Sequence, residues 1–159
     1  MPDFIMILIL APLVTLTLVA LFVVMGVLFP RQISDVKSTS SEKPGRSFLL
    51  GLINVIFLSV IVAALSGGGE FPQLLGLLIF TVLVIGLAFG LAGIAPFIGE
   101  RIFPDSSKVR QAGWGAAIMI VASLTPFIGW FLLFPYLSFH GLGAFILSFF
   151  TRTSSKPSA

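Results

Sequence analysis

Cysteine is absent from this chain, and Asp, Glu, Lys and Arg together supply only 9% of its 159 residues. The first absence excludes disulfides, thiol nucleophiles and Cys-based metal sites. The second excludes an ordinary water-soluble core, because 57% of the residues are apolar and the mean hydropathy is +1.14. Histidine occurs once, at His140, so the chain can offer no more than one imidazole ligand to a metal or pigment. Formal charge is missing altogether from residues 4–28, 48–65, 74–98 and 112–150.

Those four blocks are what the chain has in place of charge. A bilayer core is about 30 Å thick and takes about 20 apolar helical residues to cross, so the first and third blocks are long enough to span with some tilt. The polar stretch 31–47 is too short to bury a core of its own. The expected architecture is therefore all-α: one transmembrane helical domain over residues 1–150, with spans near 4–28, 48–65, 74–98, 112–124 and 130–150, and a short polar tail over 151–159. The N-terminal block reads as a retained span. Met1, Pro2 and Asp3 provide no basic n-region, and the block outruns the 7–15 residues or so of a signal-peptide h-region.

Orientation follows from Lys and Arg, which hold short loops on the cytoplasmic side while Asp and Glu count for little. The N-terminus has no basic residue. The 29–47 loop has Arg31, Lys37, Lys43 and Arg46, the 66–73 loop only Glu70, and the 99–111 loop Arg101, Lys108 and Arg110. The reading is out, in, out, in. The net charge of +3 thus sits beside spans, where anionic lipid headgroups are a simpler partner than nucleic acid.

Arg152 and Lys156 put the tail inside as well, so the block 112–150 is expected to enter and return as a proline-broken hairpin or re-entrant pair. Pro126 and Gly129 supply the break, one by removing a backbone donor and the other by tolerating a turn. Residues 112–124 reach only about 20 Å as helix, short of a full crossing. A single bent helix with the tail outside is the alternative. Pro96 and Gly99 repeat the same Pro-Phe-Ile-Gly pattern and are expected to break the third span, an echo that shared helix punctuation explains as well as duplication does. The Ser/Thr-rich part of the 29–47 loop is expected to be mobile. Gly67, Gly68 and Gly69 make a tight outer connection; a phosphate cradle there would need a following Lys and would not carry Glu70.

Few side chains could carry chemistry. Intramembrane charge, the usual mark of an ion path or proton relay, is missing from the spans. His140 is either a ligand or a residue bonded to a nearby carbonyl. Asn54 and the hydroxyls read as interhelical hydrogen-bonding groups, and Glu100 and Arg101 as an ordinary span border. No catalytic, cofactor or metal site is assigned. Packing has the clearer signature: Gly86 and Gly90 stand four apart, with Gly93 nearby and Gly113 on the next block, so backbones should meet closely there.

The order Leu28-Phe29-Pro30-Arg31, then Pro44-Gly45-Arg46 before a Leu-rich span, then Pro126 to Gly129 and Gly141-Leu142-Gly143, resembles the polytopic membrane module found after bactofilin-like polymer-forming domains of bacteria. The resemblance covers about residues 10–149 and implies an anchor or scaffold in a bacterial cytoplasmic membrane, with no catalytic residues to carry over. Within these 159 residues no stretch resembles the polymer-forming domain itself. The leading expectation is a non-enzymatic scaffold or accessory subunit held to other membrane subunits or to itself; a small oligomeric channel or transporter is the alternative.

Overall fold

The computed structural model describes the backbone of residues 2–125 and 127–154, with side chains for Leu10 and for 12–125 and 127–150. Six α-helices and no strand occur among them. In chain order they are α1 (Pro2–Leu28), α2 (Pro30–Glu42), α3 (Pro44–Ser66), α4 (Glu70–Ile102), α5 (Lys108–Ser123) and α6 (Phe134–Ser154), the last preceded by a π-helical turn at Gly129–Leu133.

Three stretches are long and apolar enough to cross a bilayer: α3, α4 and Gly129–Phe150. A fourth exists if α1 from Pro12 and α2, bent by 105°, count as one broken span. The helices therefore suit an integral membrane protein, with backbone hydrogen bonds closed inside each helix as hydrocarbon requires. α4, with 33 residues, extends about 50 Å, well past the thickness of a bilayer core, so it tilts or projects from one.

Proline sets most of the boundaries, though not all. Pro30 and Pro44 each lie in the first turn of a helix, where the missing N–H costs nothing. Pro96 lies inside α4, which continues through it and through Gly99 to Ile102. The break expected at those two residues does not form. Neighbouring helices pack around this stretch and hold it helical despite the one lost hydrogen bond. The last block is interrupted after α5 ends at Ser123, and Gly129 opens the π turn, while Pro126 lies outside the described residues. Phe127 adopts a positive φ of 66°, a strained setting for a bulky side chain.

The Ser/Thr-rich loop also needs correction, since it is no mobile linker: α2 is a helix whose Ile33, Val36, Thr39 and Ser40 are buried. Its inward face repeats every three to four residues, which pins it against the bundle. At the other end of the chain α6 continues to Ser154, into the stretch read as a polar tail. As for the two arms of the last block, α5 and α6 share almost no contact among the described residues, and each packs on α4 instead.

Candidate interface: glycine seams and a buried serine–histidine contact

Helices in lipid gain nothing from burying apolar surface, so they associate where small residues let backbones touch. Four such seams converge on one end of this bundle. Between α3 and α6, Gly51 lies against the Phe139 carbonyl and Gly143 against the Ser47 carbonyl. A methyl group built on either glycine would fall inside the opposing backbone. Between α4 and α6, Gly90 and Gly141 meet backbone to backbone, and Gly86 accepts the Leu142 side chain.

Between α4 and α5, Gly99 faces the Gln111 carbonyl and Gly115 faces the Ala95 carbonyl. Gln111 is buried and turns its Nε2 back to donate to the Phe103 and Pro104 carbonyls at 3.0 and 3.1 Å. It thereby ties the start of α5 to the turn that follows α4. The fourth seam seats Val36 of α2, with no exposed surface, on Gly93.

Of the glycines expected to pack, Gly86, Gly90 and Gly93 are buried in these seams. Gly113 is only half-buried, and a Cβ built there would meet Val23 of α1 at an ordinary 3.6 Å. The packed face of α5 runs through Ala112, Gly115, Ala116 and Met119 instead, a helical stripe displaced from the one expected. Gly51, Gly115, Gly141 and Gly143 lie outside the expected packing set, and Gly99 enters it in place of a helix break. Their signal is present as small residues four apart, Ser47 with Gly51 and Ala95 with Gly99, but spacing alone does not say which helix lies opposite.

His140 sits where α2, α3 and α6 meet, and only 7% of it is exposed. Its Nε2 and the Ser40 hydroxyl are 2.6 Å apart, one hydrogen bond whose donor depends on the imidazole tautomer. Tyr136, one turn earlier, stacks on the imidazole at 5.7 Å between ring centroids. Among the described residues Nδ1 has no hydrogen-bond partner, and the buried hydroxyls of Ser47 and Ser138 have none either. A lone Ser–His pair has the atoms of a nucleophile and a base, and here both side chains are buried. Among the described residues no three His, Asp or Glu side chains converge as a metal site would require.

Other polar groups in the helices serve their own backbone. Thr17, Thr81 and Ser123 donate to the carbonyls of Leu13, Leu77 and Met119, and Asn54 donates to that of Leu50. These bonds lie within single helices, contrary to the interhelical role expected of Asn54 and of the hydroxyls.

The basic residues gather at the seam end. α3 and α4 form a hairpin joined at 67–69, where Gly76 packs on Leu65, so the start of α3 lies with the end of α4. Arg31, Arg46, Arg101, Lys108 and Arg110 are exposed there and Lys43 is half-buried. Lys37 pairs with Glu100, joining α2 to α4, and the Arg101 guanidinium lies over the Phe97 ring at 4.7 Å. At the far end of the hairpin the charged residue is Glu70. No protein-family model, curated protein or solved structure matches this chain.

Proposed function

We propose that this chain is a non-enzymatic, multi-span membrane protein that acts as a scaffold, anchor or accessory subunit of a membrane complex. The observation that carries this reading is the contrast between a glycine-locked end and a bare α3–α4 hairpin, whose α3 span is only 6% buried within the chain. The locked end supplies a rigid base, and the hairpin presents apolar helix surface to lipid or to neighbouring subunits. The seclusion of Ser40 and His140 from solvent supports a role without catalysis.

In the same reading the N-terminus faces outward and the basic end faces the cytoplasm, where Arg31, Lys43, Arg46, Arg101, Lys108 and Arg110 meet anionic headgroups and the tail follows α6 to the inside. The membrane is a bacterial cytoplasmic one, as the resemblance to the bactofilin-associated module implies.

Purification from native membranes tests the assignment. Stoichiometric partners that co-elute in mild detergent support it. A homo-oligomer that passes ions or solutes in liposomes overturns it in favour of the channel alternative. Orientation is read from single cysteines in this cysteine-free chain. Ser41→Cys and Ser154→Cys should resist membrane-impermeant label from outside, and Gly69→Cys should react.

A further inference from the structure

Along the flank of α4 opposite the α3 hairpin runs a lateral cleft of about 840 Å³, walled by α1, α4, α5, the π turn and the start of α6. Such a volume is in the range of small-molecule sites, about 300–1,000 Å³. Its lining includes Val14, Leu18, Ala88, Ile120, Trp130 and Phe134, and no charged residue. The two hydroxyls on its wall are already committed, since Ser123 donates to the Met119 carbonyl and Thr15 is not free. The cleft therefore offers a ligand shape and dispersion contact with no charged side chain and few polar ones, which disfavours headgroups, sugars and ions and suits an uncharged hydrocarbon.

Its dimensions narrow the class further. Along α1 the lining runs from Leu10 to Phe22, a rise of about 18 Å. One leaflet of hydrocarbon is about 15 Å deep, half the thickness of the core. Phe22 lies six residues short of the end of α1 at the basic side, so the cleft runs from there toward the opposite leaflet. Trp130, 66% exposed, stands on the π turn at its border, next to the strained Phe127. Strained backbone and π turns recur at ligand sites.

We infer that this cleft holds the hydrocarbon chain of one bilayer lipid, drawn sideways from the leaflet away from the basic end. The inference rests on the membrane reading of the helices and goes beyond the scaffold role. The π turn at Gly129–Leu133 and the start of α6 place Trp130 and Phe134 on the cleft wall.

The test uses the full chain with Trp114→Phe, which leaves Trp130 as the only tryptophan. The protein is reconstituted with phosphatidylcholine brominated at mid-chain and then transferred to mild detergent. Trp130 fluorescence should stay quenched after transfer, and extraction should return phospholipid in stoichiometric amount. Ala88→Phe, which plugs the cleft, should abolish both; Leu87→Trp in the original Trp background repeats the lipid extraction if that variant does not fold. Full recovery of Trp130 emission in detergent, or equal lipid retention by folded plugged variants, overturns the inference while leaving the scaffold reading intact. So does a lipid-free dimer cross-linked through Val14→Cys, which would make the cleft a contact between copies. A chain soluble without detergent overturns the membrane reading itself.

Discussion

From Gly86 to Gly99, α4 is buried at seven positions, whereas between Glu70 and Ile85 only Gly76 is buried. Both halves are strongly apolar and belong to one unbroken helix. What separates them is side-chain size: the buried half alternates Gly and Ala with larger residues, and the bare half is dominated by Leu, Val, Ile and Phe. In hydrocarbon a large apolar side chain is as well placed against lipid as against protein, so hydropathy does not choose the core. Close backbone approach does, and glycine permits it.

The largest effect expected from this contrast is at the seams. Gly99→Ala or Gly143→Ala, each placing a methyl group in an opposing backbone, should destabilise the fold by about 2–3 kcal/mol or prevent it from forming. Thermal unfolding in detergent measures this. A change smaller than that at Gly76, where an added Cβ would only touch the Leu65 side chain at 3.4 Å, would break the comparison.

Next comes the buried polar joint. Ser40→Ala leaves His140 Nε2 buried without its partner and should cost about 1–3 kcal/mol. Combining it with His140→Leu should cost less than the sum of the two single changes, which a double-mutant cycle in the same assay resolves.

Gly26 gives the opposite sign. Nothing lies within 4 Å of a Cβ built there, so Gly26→Ala should stabilise α1 by about 0.5–1 kcal/mol through helix propensity alone. A loss of stability would mean that another chain occupies that space. Smallest of all is the Lys37–Glu100 pair, whose side chains are 30% and 51% exposed. Lys37→Ala should shift stability by no more than about 1 kcal/mol, and the shift should shrink as salt is raised.

Much of the helical layout was legible in the chain. Blocks without charge marked where long apolar helices form, and the Gly67–Gly69 run marked where two of them turn, because a missing side chain acts locally. Pro96 misled for the same reason: its local effect is real, but packing on both sides of α4 outweighs one lost hydrogen bond. The 30–42 segment misled in the other direction. Its hydroxyls look like a solvated loop, yet Thr39 and Ser40 are buried because Ile33 and Val36 draw that face into the bundle and His140 receives Ser40.

The candidate site was less legible. Gly86, Gly90 and Gly93 stand out as a small-residue stripe, but two of the groups they meet, Gly141 and Leu142, lie far along the chain, and Val36 lies on a helix that reads as a loop. The same rule picks Gly113, which lies one face away from the seam, at Val23.

The sequence by itself determined that the chain is helical and suited to lipid, since both follow from composition and from the length of its uncharged blocks. Which helices touch, which glycines admit no side chain, and that a lone histidine is bound to a serine 100 residues away were decided only by the tertiary structure. The physical reason is that hydrophobicity is a property of each residue, whereas contact in a solvent as apolar as the protein depends on the shapes of two surfaces brought together.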